Sequence, residues 1–203
     1  MTARKKKKKP AKKKPVAYHH GDLRNALRAA AVAILEEEGL AALSLRAVAR
    51  KAGVSHAAPY RHYPNHEALL VELALDGFEE LRGAIAAAAS KPADRMDRIT
   101  GIGGAYMRFV SSHPARAQLM FGPQLPNRDT IQMLANAADS IGGEIGAALG
   151  DPALGLAVWA AVHGLAVLIL DNVIDLGQRR SGTAVLPTRA EILLRSLFAG
   201  GGG

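Results

Sequence analysis

The chain has 203 residues, 26 Lys and Arg against 18 Asp and Glu, a formal charge of +8, and no cysteine. Its length holds a substantial core in one or two domains, and 49% hydrophobic with 22% charged residues is globular usage rather than that of a disordered or fibrous chain. Lack of cysteine excludes disulfide frameworks, thiolate zinc sites, iron–sulfur clusters and cysteine nucleophiles.

The charge is concentrated at one end. Arg4, Lys5 to Lys9 and Lys12 to Lys14 place nine cations before residue 16, and the first acid is Asp22. Removing those nine from the 26 leaves 17 cations against 18 acids, a body of charge −1. A run of like charges repels itself and has no apolar surface to bury, so residues 1–15 are expected to be a disordered arm. It reads either as a solvated tail or as an arm that tracks DNA phosphates. No apolar segment follows the cations, so it does not read as a secretion signal.

From Asp22 the chain is helical in period: Leu23, Leu27, Ala30, Ile34 and Leu35 recur on one face, and Gly39 stops the helix. Ser44 is placed to cap a short helix carrying Leu45, Val48, Ala49 and Ala52, which Gly53 interrupts. Ser55 caps a second, very short helix ending before Pro64, and Asn65 caps a long one with Leu70, Leu73, Gly77, Leu81 and Ile85 in a stripe, ended by Ser90-Lys91-Pro92. Met96, Ile99, Tyr106 and Val110 mark the next helix, weakened in its middle by Gly101, Gly103 and Gly104. His113-Pro114 closes it, and Ala115 to Phe121 makes a short piece before a loop with Gly122, Pro123 and Pro126. Further helices are expected over 128–149, 152–176 and 188–199, the last after a polar loop with Gln178, Arg179, Arg180, Ser181 and Gly182. No alternating strand pattern stands out, so the fold is expected to be all-α. The domains are expected at 16–64 and 65–199, with residues 200–203 a flexible glycine tail.

Ala153 to Leu170 carries no formal charge over eighteen residues, the lower length for a membrane span. Asp151 and Asp171 bracket it and His163 sits within it, so a helix buried in a core and a dimer seam is the favoured reading over a membrane anchor. Ala160 and Gly164, small and four apart, suit the seam. On another face Trp159, His163 and Ala166 line up. That face is either a packed tryptophan with a hydrogen-bonded core histidine, or an apolar pocket wall with one polar anchor, which Tyr106, Phe109, Met120 and Phe121 would complete.

The stretch from Leu45 to Tyr63 has the mechanics of a helix-turn-helix. Val48 and Ala49 face inward, Ala52 allows close packing, Gly53 supplies the positive φ of a tight turn, and Val54 plugs the gap between the helices. Ser55 then points the second helix's first residues outward, toward a major groove. From Ser44 to Pro64 there are four cations (Arg46, Arg50, Lys51 and Arg61) and no acid, and Tyr60 and Tyr63 offer hydroxyl donors suited to phosphate oxygens.

These residues, with Ala49-Arg-Lys-Ala-Gly-Val-Ser55, Tyr60-Arg-His-Tyr63-Pro64 and Glu67-Ala-Leu-Leu70, resemble the TetR/AcrR family of transcriptional regulators. Tyr106-Met-Arg-Phe109, His113-Pro114, Leu119-Met-Phe121 and Trp159-x-x-x-His163-Gly164 resemble its subgroup named for a Trp-His-Gly signature. The resemblance covers about residues 18–199 and leaves the arm outside. It implies a homodimer in which three N-terminal helices bind double-stranded DNA and a fourth connects them to an effector domain whose last two helices dimerise. On that pattern Ser44 and Arg46 approach the backbone, Ser55, His56 and Ala57 read base edges, and Tyr60 and Tyr63 grip phosphates. His66 stands where the family usually has lysine at the start of its fourth helix, and Pro59 where many relatives have leucine, so an irregular start to the recognition helix is expected.

Other chemistry is sparse. There is no phosphate-cradling Gly-x-x-x-x-Gly-Lys, no Gly-x-Ser-x-Gly elbow and no His-Glu-x-x-His, so no catalytic residues and no cofactor are expected. Five of seven histidines (His19, His20, His56, His62 and His66) fall in the first 66 residues, but Pro64 separates His62 from His66 and no carboxylate joins them; no metal site is expected. The expected protein is a bacterial, cytoplasmic, ligand-responsive repressor binding a palindromic operator as a dimer, with an unknown small-molecule effector and no membrane. The competing readings are a sequence-tolerant nucleoid-type DNA binder, and a helical small-molecule-binding or membrane-attached bundle.

Overall fold

The computed structural model describes residues 20–91, 94–122, 132–171, 173 and 185–199. The expected arm at 1–15, the loops around Pro126 and Arg179, and the glycine tail at 200–203 lie outside the described residues. Eight α-helices and two single-turn 3-10 helices carry the described residues, with no strand among them. They are α1 (His20–Glu38), α2 (Leu45–Lys51), α3 (His66–Ala89), α4 (Arg95–Ser112), α5 (Pro114–Phe121), α6 (Gln132–Leu149), α7 (Pro152–Leu170) and α8 (Val185–Phe198), with 3-10 turns at Leu40–Ala42 and Pro59–Arg61.

Ser44 and Asn65 cap where expected, but Ser55 does not: the turn that follows it starts at Ala58 with no side-chain cap bond. The Ser44 hydroxyl accepts from the Ala47 N–H at 3.2 Å, and the Asn65 side chain accepts from the Ala68 N–H at 2.8 Å, so α2 and α3 begin with satisfied donors. Leu27, Ala31, Ile34 and Leu35 of α1 and Leu70, Leu73, Leu81 and Ile85 of α3 are buried. α3 begins just past the expected boundary between the domains, and one cluster of buried residues runs from Leu27 to Leu194 across it.

α1 and α3 lie side by side in the same direction. Arg24 pairs with Glu72 at 2.6 Å and Arg28 with Asp76 at 3.2 Å, a separation of 48 residues in both pairs. α4 runs unbroken through its three glycines. A Cβ on Gly103 would lie 2.2 Å from Leu194 Cδ1 and 3.1 Å from Val162 Cγ1, so this glycine is where α4 meets α8 and α7. α6 and α7 cross as closely: a Cβ on Gly155 would lie 2.4 Å from the backbone of Gly146.

α7 and α8 differ in extent from the sequence reading. α7 stops at Leu170 rather than 176: the Asp171 N–H bonds to Val167 O and the Val173 N–H reaches back to Leu168 O at 2.9 Å, a six-residue closure that seals the helix end. α8 begins at Val185, earlier than 188; the expected helix over 128–149 is described from Gln132, and its residues 128–131 lie outside the described residues. α7 is long and apolar enough to cross a membrane, but it buries a stripe of Gly155, Val158, Val162 and Ala166 against the bundle. Its other face, Leu156, Ala157, Ala160, Gly164 and Leu168, is exposed.

Candidate functional site

The segment from Ser44 to His66 presents short, tightly folded pieces. Leu45, Ala47, Val48 and Ala49 are buried and fix α2 to α1, leaving Arg46 and Arg50 exposed. Lys51 turns back to Glu37 at 2.5 Å. Gly53 has φ +70°, as the turn requires, and Val54 is half-buried with its N–H on Ala49 O at 3.0 Å.

The piece after the turn is not an α-helix. The Ala58 N–H bonds to Ser55 O at 3.0 Å, then Pro59–Arg61 forms one 3-10 turn closed by the His62 N–H on Pro59 O at 2.9 Å. Pro59 has no N–H to give to Ser55 O, so the α-type ladder cannot pass through it, and its buried ring anchors the piece instead. The resulting bend exposes Ser55, His56, Ala57, Tyr60 and Arg61, with Tyr60 at 50%.

Of the nine residues expected at DNA, eight are exposed: Ser44, Arg46, Ser55, His56, Ala57, Tyr60, Arg61 and His66. Tyr63 is the correction. It is 1% exposed, and its hydroxyl donates to Glu72 Oε1 at 3.0 Å while Arg24 holds the other carboxylate oxygen. A side chain so enclosed has no surface for a phosphate. Burial first, and the Glu72 charge second, push its hydroxyl up to about 12. Tyr63 is therefore the pin that fixes α1 and the recognition turn onto α3. The sequence reading missed Glu72, which lies nine residues from Tyr63 and 48 from Arg24.

A second cluster lies in the helical body. The Tyr106 hydroxyl and His163 Nδ1 are 2.8 Å apart. The Phe121 ring lies 4.6 Å from the imidazole and 6.4 Å from Tyr106, and Trp159 lies 6.3 Å from the imidazole. Phe78 of α3, absent from the sequence reading, meets Phe121 edge-on at 5.2 Å. Burial raises the Tyr106 hydroxyl well above its ordinary value, opposed by the Trp159 indole nearby, so it stays protonated. The Trp159 N–H faces that hydroxyl without reaching hydrogen-bond geometry, leaving Nε1 buried and unpartnered. Four of the six expected ligand residues thus come together: Tyr106, Phe121, Trp159 and His163. Phe109 points away to His113, with ring centroids 5.4 Å apart, and Met120 packs its sulfur where a Cβ on Gly77 would stand.

Between head and body lies an ionic joint with no local sequence signal. Arg116 of α5, 8% exposed, contacts Glu36 of α1 at 3.1 Å and Glu80 of α3, and His113 reaches the same two carboxylates at 3.2 and 3.5 Å. Among the described residues no group of three His, Asp or Glu side chains is placed to hold a metal ion.

Residues 27–73 match the family model of bacterial regulatory proteins of the tetR family, and residues 99–185 that of a tetracyclin repressor-like C-terminal domain. An HTH-type transcriptional regulator of Mycobacterium tuberculosis is 33% identical over 94 residues, 45% of this chain and 40% of that protein, so the match spans well under half the length of the curated relative. A Rhodococcus sp. RHA1 protein with unknown function is 30% identical over 89% of this chain and 97% of its own, with a TM-score of 0.64. A tetR-family bacterial regulatory protein, also from Rhodococcus RHA1, shares the fold at 23% identity over 85% and 95% of the two chains, TM-score 0.64. With a tetR-family reading head and a repressor-like C-terminal domain in sequence on one helical bundle, the chain belongs to the TetR family.

Proposed function

We propose that the protein is a cytoplasmic transcriptional repressor that holds a two-fold symmetric operator as a homodimer and releases it on binding a small molecule. The observation that carries this is the acid-free run from Ser44 to Pro64, whose Arg46, Arg50, Tyr60 and Arg61 face solvent on a body of near-zero charge. Ser44 and Arg46 meet phosphates, the Ser55–Ala57 turn reaches base edges in the major groove, and Tyr60, Arg61 and His66 hold the flanking backbone.

The dimer seam is the exposed apolar face of α7 (Leu156, Ala160, Gly164 and Leu168) with Ile192 of α8. Large residues at 59%, 41% and 60% exposure (Leu156, Leu168 and Ile192) are what a second copy would cover. The effector binds at Tyr106, Phe121, Trp159 and His163, where the orphaned Trp159 N–H asks for an acceptor from the ligand. α5 links the two ends: Phe121 touches His163, and Arg116 holds Glu36 on α1. A ligand that moves Phe121 strains the Arg116 joint and re-aims the head, and it releases DNA only by the difference in its affinity for the two states.

Selection from random duplexes at about 150 mM salt is the test. A recovered palindrome with half-sites about 34–36 Å apart is expected; recovery of no sequence sinks the reading. Trp159, the single tryptophan, reports effector binding by its fluorescence.

A further inference from the structure

We infer that His113 is a proton-operated latch. While its imidazole carries a proton it ties the last turn of α1 and the middle of α3 to the start of α5, and loss of that proton loosens the joint beneath the reading head. The latch follows from the geometry of the joint; only its effect on operator binding rests on the head being the DNA-binding surface.

Both ring nitrogens of His113 face carboxylates: Nδ1 stands 3.2 Å from Glu36 Oε1, and Nε2 stands 3.5 Å from Glu80 Oε1. A neutral imidazole has one N–H and one lone pair, so it donates to one carboxylate and turns a lone pair toward the other. The imidazolium donates at both nitrogens, and it alone suits both neighbours. Arg116 brings one positive charge to the same pair, at 3.1 Å from Glu36 and in contact with Glu80. Two carboxylates against one guanidinium leave the group one negative charge in excess when the ring is neutral, and a proton on His113 cancels it.

The remaining charges around the ring come from α3 and α4. Asp76, one turn before Glu80, is held by Arg28 and feels the Arg116 charge. Arg108 of α4 lines a groove of about 230 Å³ with Glu80, Ser112 and His113. Its cation opposes a second one on the ring, but it lies back along its own helix, with Nη1 3.2 Å from where a Cβ on Gly104 would stand. The Phe109 ring covers another side of the imidazole, at 5.4 Å between centroids. The groove leaves the His113 side chain 31% exposed, so its proton exchanges with water directly. Imidazoles change charge between about pH 5 and 8, where carboxylates and guanidiniums do not.

The joint is placed to move the head. Arg24 and Arg28 hold the first half of α1 to α3, and Glu36 holds its last turn. Glu37, the next residue, carries Lys51 of α2, and only the 3-10 turn at Leu40–Ala42 separates the two helices. Freed at Glu36, the end of α1 takes α2 and the turn at Gly53 with it. Seated there, the head meets DNA already ordered.

The test compares the full-length natural chain with His113→Gln, which cannot gain charge, and His113→Arg, which cannot lose it. Urea midpoints are measured from about pH 6 to about pH 8, and affinity for the duplex recovered by selection is measured over the same range at one salt concentration. The other histidines are common to all three chains, so differences between chains isolate His113. The natural chain is expected to stand above His113→Gln at the acid end and to converge on it as pH rises, with His113→Arg above His113→Gln throughout. Natural affinity should exceed that of His113→Gln about two- to fivefold at the acid end, the value of one partly exposed charged contact, and match it at the alkaline end. A midpoint difference that does not change with pH makes His113 a fixed structural contact and overturns the latch. If His113→Gln does not fold, the natural chain and His113→Arg carry the test: their difference must grow as pH rises, and a constant one overturns the latch. A latch seen in urea while affinity ignores it overturns the link to the head. Recovery of no sequence by selection fails the head's reading, and the urea series still decides the latch.

Discussion

Between Ser44 and Pro64 no helix is longer than seven residues, whereas α3, α4, α6 and α7 run 24, 18, 18 and 19 residues. The short segment is held by a serine cap, a positive-φ glycine and a proline-anchored 3-10 turn, with its cations and Tyr60 left outside. The long helices are held by close approach at Gly103, Gly146 and Gly155, with their polar aromatic groups turned inward onto His163. Backbone devices leave side chains facing outward in the short segment, and helix packing turns them inward in the long helices. The Arg116 joint ties α1 to α3 and α5, and the sharpest perturbation is to that joint.

Arg116→Met is expected to have the largest effect. It leaves Glu36 and Glu80 facing each other at a partly exposed site, with His113 their remaining partner. Removing one partner of a buried ionic cluster costs several kcal/mol; because Glu80 is half-exposed, about 2–3 kcal/mol is expected here. Urea unfolding measures it. A loss below about 0.5 kcal/mol, the size of an ordinary surface change, would mean that head and body are not joined through Arg116. The same variant should weaken any effect of effector on DNA release, since α5 would then end at Phe121 without a hold on α1.

The two tyrosines separate the regions more finely, because they sit three residues apart and take opposite roles. Tyr63→Phe removes a hydrogen bond to a carboxylate and should cost about 1.5 kcal/mol of stability. Tyr60→Phe should leave stability within about 0.5 kcal/mol and weaken operator binding roughly 5–10-fold, the value of one phosphate hydrogen bond. pH gives a second reading of Tyr63. Its folded-state value is raised from 10.0 to about 12, so the folded chain keeps the proton that the unfolded chain releases, and the associated stability is complete below pH 10 and lost as pH rises toward 12. The difference between the natural protein and Tyr63→Phe should therefore shrink from pH 9 to pH 11. A difference that stays constant, or a Tyr63→Phe protein that loses operator affinity but no stability, would return Tyr63 to the phosphate-facing set.

Why Tyr63 was misread shows what a sequence carries. The stripes on α1 and α3, the caps Ser44 and Asn65, and the turn at Gly53 are local, fixed within four or five residues of the atoms they satisfy, and they appear as read. Tyr60 and Tyr63 have the same local chemistry, and a carboxylate nine residues on decides which one is buried. Pro59 announced a disturbance, but its extent depends on the buried seat of its ring. In the aromatic cluster, Trp159 and His163 are four apart on one helix and were visible as a pair. Phe78 was not, because its partner Phe121 lies on another helix. Tyr106 and Phe109, three apart on α4, diverge because one meets α7 and the other the start of α5. Glu36, Glu80 and Arg116 are separated by 36 residues or more, so nothing periodic links them.

The smallest expected effect concerns the glycines of α4, which the sequence marks only as helix-weakening. Gly101 has nothing within 4 Å of an added Cβ, so Gly101→Ala should stabilise the protein by about 0.5–1 kcal/mol through helix propensity alone. Two residues on, the same gain is available at Gly103, but its Cβ would stand 2.2 Å from the Leu194 methyl. Leu194 is fully buried, and moving it displaces the contact between α4 and α8, an overpacking cost of about 1–3 kcal/mol. Gly103→Ala should therefore be neutral to destabilising by up to about 2 kcal/mol, with a sign no better than zero where Gly101→Ala is positive. Thermal unfolding of the two variants side by side reads this directly. If both rise together, α4 does not need glycine to meet α8, and close approach is not what holds the body.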